Sequence, residues 1–289
     1  MLAAAAASIA QLEEREMRWL LDYASQQAAG YAIWGRDTEH IEKAFVFGGM
    51  PARAGVTAAE VVRAGWSGVD DVFSGEDNFF RVNAVSAKPE LLVEALGQRY
   101  EIANTDIKKW TVGTPIQGPL DALESLLRLH GFAADDVSEV VVRLAPAVGS
   151  VVDNRDIPDI CLQHMLAVML VDRTVSFRAA HDAPRMKDPA VLQERRKIRY
   201  QPDADLAPML PVRVAIVEVG LRDGTRHSER VEAVRGTPRN PMGRDEVVSK
   251  ARDLIEPVLG GVTAGRLIAK LLALETLGNL RELRPLLQH

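Results

Sequence analysis

The sequence predicts an α+β protein in which an all-helical domain, formed by both ends of the chain, carries an inserted α+β domain. Apolar residues in the first third recur at helical spacing, short β-branched runs appear after residue 105, and residues 239–289 are again helical in pattern. We therefore assign residues 1–104 to the first part of the helical domain, 105–238 to the insertion and 239–289 to the C-terminal return.

The first helix is predicted from the spacing of Leu12, Met17, Leu20, Leu21 and Ala24, with Gly30 as its stop. A charged stretch, "RDTEHIEKAFVFGGMPARAGVTAAEV", follows at residues 36–61. Such a segment either seals an edge of the core or carries a functional site.

Two more helices are predicted before residue 104. Thr57 and Glu60 have the spacing of a capping box and are expected to begin one helix. Pro89 and Glu90 are expected to begin another. The buried side of that second helix is predicted to consist of Leu91, Leu92, Val93 and Leu96.

The inserted domain begins with an extended stretch and an amphipathic helix that ends at Gly131. "DDVSEVVVRLAP" predicts a strand, and "IPDICLQHMLAVML" predicts a helix that is buried on most sides. Asp188 is expected to cap a short helix before a strand at Ile198 to Tyr200. Alternation on both sides of Asp223-Gly224 predicts a β-hairpin. Two C-terminal helices follow, with Pro257 and Gly260-Gly261 between them.

Composition excludes several classes of protein. The net charge is −5 and no basic block occurs, which argues against a nucleic-acid or anionic-membrane partner. No apolar run approaches the roughly 18–20 residues of a membrane span. The first residues lack the basic region of a signal peptide. Cys161 is the single cysteine, so an internal disulfide framework is excluded and a reducing compartment is indicated. We expect a cytoplasmic protein.

Common catalytic motifs are absent from the sequence. His40 lies between Glu39 and Glu42 but does not form HExxH, so a solvated turn is a better interpretation than a metal site. The glycine pairs match neither GxGxxG nor the P-loop, and no GxSxG occurs. Cys161 lies in the most apolar helix, as a small hydrophobic residue would. We predict neither a metal site nor a nucleotide-binding site.

A histidine and three lysines could contribute to a site, and each also has a structural interpretation. His164 lies one turn beyond Cys161 on the apolar helix, where a hydrogen-bonded core histidine is the more common occupant. A partly desolvated imidazole is also suited to removing a proton near neutral pH. Lys43 and the Lys108-Lys109 pair are either solvated surface groups or cations that bind a small polycarboxylate.

Four segments resemble the MmgE/PrpD family, which contains 2-methylcitrate dehydratase and cis-aconitate decarboxylase. They are the charged stretch at residues 36–61, "IKKWTVGTPIQGPLDALESLL", "NRDIPDICLQHMLAVMLVD" and "RGTPRNPMGRDEVVSKARDL". The resemblance covers nearly the whole chain, and its most specific part is Arg235 to Lys250. It implies a helical domain with an α+β insertion, a homodimer and a site without a cofactor.

The resemblance also assigns the lysines. Lys43 looks like the lysine of the family's Lys-x-x-His-x-Gly segment, with Val46 in the place of the histidine. Lys108 looks like the lysine of an Ile-Lys-x-Tyr-Pro stretch, with Trp110 in the place of the tyrosine.

Other positions depart from the family pattern. Gly113 and Gln117 stand where relatives can carry histidines, and His164 stands where the family has a tyrosine. The family's N-terminal helical block, which carries further active-site residues, is expected to be absent. These departures favour a subfamily with a substrate other than 2-methylcitrate.

Two functions remain open at this stage. The first is a lyase (a hydro-lyase or decarboxylase) or, as a weaker alternative, an isomerase or epimerase, that removes a proton α to a carboxylate of a small di- or tricarboxylate. In it, Lys43 and Lys108 bind carboxylate, His164 is the acid or base, and Arg36 and Gln117 orient the substrate. The second is a truncated or split-gene member that acts as a non-catalytic subunit or binding partner. Its apolar surface would be covered in a homodimer or by a chain carrying the missing block.

Overall fold

A computed structural model of the chain describes residues 2–31, 33, 37 and 42–288. It comprises two compact units, Met1–Arg99 and Tyr100–His289. Arg36, Glu39 and His40, which entered the predictions above, lie outside the described residues. The predicted return of residues 239–289 to the first domain stays a prediction.

The first unit is helical in its described residues. Its helices are α1 (Leu2–Ala10), α2 (Glu14–Gln26), α3 (Glu42–Ala44), a π-helix (Phe45–Gly49), α4 (Met50–Arg63), α5 (Phe79–Asn83) and a 3₁₀ helix (Pro89–Leu92). Helices α1 and α2 both pack against α4. Small residues dominate their shared core, which consists of Ala7, Leu20, Ala58, Ala59 and Val62.

The prediction that Thr57 begins a helix is wrong, because Thr57 lies in the middle of α4. Gly49 keeps helical angles, with φ −66° and ψ −46°, so the chain passes from the π-helix into α4 without a break. Pro51 follows directly, and because the helix is continuous its missing N–H leaves one helical carbonyl without the usual donor.

The helix predicted from Pro89 is reduced to the short 3₁₀ helix. Ala95 and Gly97 have positive φ values of 52° and 77°, which a right-handed helix does not accommodate. The leucines and valine predicted to be buried are exposed to between 54% and 69%; they are Leu91, Leu92, Val93 and Leu96.

The second unit combines helices with one sheet. The longer elements are α6 (Thr114–His130), β1 (Val137–Leu144), α8 (Leu162–Asp172), α10 (Pro189–Arg195), β2 (Ile198–Pro202), β3 (Ala215–Leu221), β4 (Arg226–Val231) and α11 (Arg244–Leu271). The short α-helices are α7 (Pro146–Gly149) and α9 (Phe177–Ala180). Short 3₁₀ helices are Glu101–Asn104, Ala134–Asp136, Pro158–Ile160, Ala183–Lys187, Ala204–Met209, Leu274–Thr276 and Leu280–Leu286.

The four strands form a mixed sheet in the order β2-β1-β3-β4. Strands β1 and β2 are parallel, whereas β1 with β3 and β3 with β4 are antiparallel. The predicted hairpin is confirmed: β3 and β4 meet at a turn in which Gly224 has a φ of 90°. An α+β architecture is therefore correct for this unit.

Helices α6 and α8 pack against each other, α6 also against β3 and β4, and α8 against β2. Every residue from 162 to 170 is buried, as predicted for the most apolar helix. Gly118 lets α6 approach β3 closely, since an added Cβ would lie 3.0 Å from the Cβ of Ala215. Asp188 accepts hydrogen bonds from the N–H groups of Ala190 and Val191, which confirms the predicted cap of α10.

Helix α11 consists of two helical segments joined at Gly260, whose φ of 72° and ψ of 154° are not helical. The break falls at the predicted Gly260-Gly261 pair. Within the described residues, no helix has both the length and the apolarity to cross a membrane.

Candidate functional site

A cavity of about 550 Å³ opens in the second unit between the start of α6, the segment before β3 and the loop after β4. We call it the Lys108 cavity. Its lining combines apolar side chains with four basic and two acidic ones. The residues are Asp106, Ile107, Lys108, Thr114, Gln117, Pro211, Val212, Arg213, Glu232, Ala233, Val234, Arg235, Thr237, Pro238 and Arg239.

Lys108 lies on a segment that two neighbouring loops hold in place. Its Nζ donates a hydrogen bond to the carbonyl oxygen of Val112 at 3.1 Å. The N–H of Ile107 donates to the carbonyl of Gly236 at 2.8 Å. Gly236 has a φ of +94°, and a Cβ there would lie 1.7 Å from the carbonyl oxygen of Ile107. Only glycine allows this close approach.

Gln117 lies on the first turn of α6 and is 1% exposed. Its side-chain amide donates to the carbonyls of Trp110, at 2.8 Å, and Val112, at 3.2 Å. Its Oε1 accepts from the N–H of Trp110 at 3.1 Å. Both amide hydrogens are thus used by the protein, and Gln117 fixes the segment that carries Lys108.

Asp121 joins the two walls of this region. Its carboxylate accepts from the indole N–H of Trp110 at 2.9 Å and from the backbone N–H of Arg235 at 2.7 Å. Burial raises the pKa of Asp121, although the hydrogen bond from the Arg235 N–H acts in the opposite direction.

The guanidinium of Arg235 is occupied by other protein groups. It pairs with both carboxylate oxygens of Glu246 and donates to Oδ1 of Asn240 at 2.7 Å. The hydrogen bond from Arg235, helped by the N–H of Gly243, lowers the pKa of Glu246 to about 2. Arg235 therefore fastens the loop to α11.

Arg213 and Arg239 differ from Arg235. Both are exposed and line the Lys108 cavity. Within the described part of the chain, neither guanidinium has an ion pair or a hydrogen bond. They are cations of the cavity that pair with no carboxylate among the described residues.

His164 lies elsewhere in the second unit. Its ring is 0% exposed on α8, and neither ring nitrogen has a hydrogen-bond partner among the described residues. Burial, with smaller contributions from Arg195 and Arg185, lowers the pKa of His164 to about 4. His164 is not among the residues that line the Lys108 cavity.

The remaining predicted site residues lie before the second unit. Lys43 is an exposed residue of α3 in the first unit. Arg36 lies outside the described residues. Of the five predicted residues, the structure therefore brings Lys108 and Gln117 to one cavity.

The sequence predictions missed three cavity arginines, Arg213, Arg235 and Arg239. A signal was present, because Arg235 and Arg239 belong to "RGTPRN", the segment that resembles the family most specifically. In the described ranges, no three His, Cys, Asp or Glu side chains are grouped so that they could hold a metal ion.

Comparison with known proteins identifies the class. The model of the MmgE/PrpD C-terminal domain matches residues 110–275, and that of the MmgE/PrpD N-terminal domain matches residues 2–92. The chain belongs to the MmgE/PrpD family, as the resemblance predicted.

A curated relative is the cis-aconitate decarboxylase of Mus musculus. It is 26% identical over 163 residues, which cover 54% of this chain and 33% of the relative. The match spans about a third of the length of that relative.

Proposed function

We propose that this protein is a lyase without a cofactor that removes water or carbon dioxide from a small di- or tricarboxylate. The observation that carries the proposal is the charge of the Lys108 cavity. Four basic side chains and two acidic ones surround a space of about 550 Å³ that is otherwise largely apolar. A small anion with several carboxylates matches that volume and charge.

The chemistry needs a cation near a reacting carboxylate. Removing a proton from the carbon α to a carboxylate moves negative charge onto the carboxylate oxygens, and a fixed ammonium stabilises that charge. In dehydration, the β-hydroxyl then leaves with a proton as water. In decarboxylation, the electron pair of the broken C–C bond takes a proton after carbon dioxide leaves. Lys108 is the proposed cation in both cases.

The other predicted groups have different support. Gln117 acts by holding the Lys108 segment, since its amide is already bonded to the protein. His164 is the proposed acid or base, and its low pKa keeps it neutral at pH 7. The ring of His164 is buried and does not line the cavity. The geometry therefore supports a catalytic role for Lys108 more strongly than one for His164. Lys43 and Arg36 stay proposed carboxylate-binding and orienting groups, and the cytoplasmic location stays a prediction.

The experiment is a screen of di- and tricarboxylates, including cis-aconitate, followed by proton NMR. Lys108→Ala is compared with Lys109→Ala, its neighbour, whose Nζ pairs with Glu124. We expect Lys108→Ala to lower kcat/KM at least 100-fold, as loss of one stabilising donor typically does, and Lys109→Ala to change it little. Equal activities would show that Lys108 is not in the site, and unchanged turnover in His164→Ala would remove His164 from it.

A second candidate is a non-catalytic subunit that binds another chain. It is supported by residues 82–96 of the first unit, where many large apolar side chains are exposed. They include Val82 at 78%, Val93 at 66% and Leu96 at 69%. Such exposure is typical of a surface that another chain covers.

Native mass spectrometry of the protein purified from its own cells separates the two candidates. A second chain in fixed ratio, with turnover only in the complex, supports a subunit role. A homo-oligomer that turns over a polycarboxylate supports the lyase, and a homo-oligomer inactive on the whole panel contradicts it.

A further inference from the structure

We propose that Arg213 and Arg239 form a subsite for a second carboxylate, so that the Lys108 cavity selects di- and tricarboxylates over monocarboxylates. This inference rests on the proposed function and names the residues that set its substrate class. Neither arginine was predicted from the sequence.

Some charges of the cavity already have partners within the protein. Arg235 lines the cavity, but Glu246 and Asn240 occupy its guanidinium. Glu232 also lines the cavity, and its carboxylate accepts from Arg230 at 3.0 Å. These charges are satisfied within the protein and are not available to a ligand.

Besides Lys108, two cations and one acid then remain in the lining. Among the described residues, Arg213 and Arg239 lack ion pairs, and Asp106 is the acidic lining residue without one. The two arginines therefore leave a net positive charge that an anionic ligand can neutralise. Their guanidinium groups can each bind a carboxylate through two parallel hydrogen bonds.

The backbone of Arg213 is held firmly. The next residue, Val214, is 6% exposed and packs in a cluster with Val148, Leu206 and Ile216. The carbonyl oxygen of Arg213 lies 3.6 Å from the position that a Cβ would take at Gly118 on α6. Arg213 therefore lies just before β3, on backbone that packs against α6.

The backbone of Arg239 is held equally well. The N–H of Gly236 donates to the carbonyl of Asn240 at 2.8 Å, and the Asn240 N–H donates to the carbonyl of Thr237 at 3.0 Å. The Asn240 side chain also donates to the carbonyl of Ala233 at 2.9 Å. Arg239 is therefore carried by a tight turn, and little backbone entropy is lost when it binds a ligand.

The surroundings strengthen the interaction with a carboxylate. Ile107, Val212, Val234 and Pro238 line the same cavity. Apolar neighbours lower the local dielectric constant, so an ion pair there is stronger than on an open surface. A monocarboxylate can satisfy only one cation, whereas a di- or tricarboxylate can reach several.

Binding can be measured without turnover. The probe is propane-1,2,3-tricarboxylate, which has no hydroxyl to lose, with acetate as the monocarboxylate, both titrated calorimetrically at about 0.15 M salt to limit diffuse attraction. Arg213→Gln and Arg239→Gln are compared with Arg266→Gln. Arg266 is an exposed arginine of α11 that does not line the cavity.

We expect the wild type and Arg266→Gln to bind the tricarboxylate with the same affinity and much more tightly than acetate. Each cavity variant should weaken that binding roughly 10-fold or more, the size expected for a charged hydrogen bond. The affinities of Arg213→Lys and Arg239→Lys should lie between those of the wild type and the Gln variants, since lysine keeps the charge but not the paired hydrogen bonds. No binding by the wild type, equal loss in Arg266→Gln or full affinity in both cavity variants would overturn the subsite.

Failure of the subsite and failure of the lyase give different results. If the tricarboxylate binds through the arginines but no polycarboxylate is turned over, the proposed subsite is supported and the proposed lyase function is wrong. If a substrate is turned over and its KM is unchanged in both Gln variants, the lyase stands and the subsite is wrong.

Discussion

Replacing His164 with leucine removes an imidazole that the fold keeps uncharged. The ring is 0% exposed, and neither nitrogen has a hydrogen-bond partner within the described residues. Burial lowers the pKa of His164 from 6.5 to about 4. The unfolded chain therefore binds a proton more readily than the folded one between these two values.

The sign of the effect follows from that difference. As the pH falls from 7, protonation of the unfolded chain lowers the free energy of unfolding, and the loss levels off below the folded pKa. With pKa values of 6.5 and about 4, the loss is about 2 kcal/mol between pH 7 and pH 5 and about 3 kcal/mol by pH 4.

The leucine variant should lack this part of the pH dependence. At pH 7 it should also be more stable by about 1 kcal/mol, because two unsatisfied buried nitrogens are removed. The assay is urea denaturation at pH 7, 6 and 5, followed by circular dichroism. The difference between variant and wild type isolates His164, because other titrating groups contribute to both.

The control is His181→Leu, which removes an exposed histidine of the same unit. The reasoning is refuted if wild type and His164→Leu lose the same stability between pH 7 and pH 5. It is also refuted if the leucine variant is strongly destabilised at pH 7, since the imidazole would then have a partner that stabilises it.

Two other substitutions test the walls of the Lys108 cavity, both by urea denaturation. Gln117→Leu leaves the buried polar groups of Trp110 and Val112 without three hydrogen bonds and should destabilise the protein by about 2–4 kcal/mol. A loss below about 0.5 kcal/mol would mean that Gln117 does not hold this segment. Gly236→Ala places a Cβ against the carbonyl of Ile107 and should cost more than about 2 kcal/mol. A stable alanine variant would show that the two loops are not in close contact.

Local patterns in the sequence predicted much of the fold. The alternation around Asp223-Gly224 predicted the hairpin, and the apolar run around Met165 predicted a buried helix, because both depend on neighbouring residues. The helix expected after Pro89 failed for a physical reason. Apolar spacing favours a helix only where the backbone stays helical, and Ala95 and Gly97 do not.

The site was harder to predict because its partners are distant in sequence. Gln117 was expected to orient a substrate, yet its amide is bonded to Trp110 and Val112. The pairing of Arg235 with Glu246 decides which arginines are left for a ligand, and no spacing rule predicts it. Arg213 was missed because it lies alone before a strand, outside every motif.

The most direct test of the central claim is turnover of a polycarboxylate panel, measured by proton NMR on wild type, Lys108→Ala and Lys109→Ala side by side. The account predicts that the wild type and Lys109→Ala remove water or carbon dioxide from at least one di- or tricarboxylate, and that Lys108→Ala does so at least 100-fold more slowly, as for other lost transition-state donors. Equal turnover by all three proteins, or none by the native wild-type assembly, would contradict it.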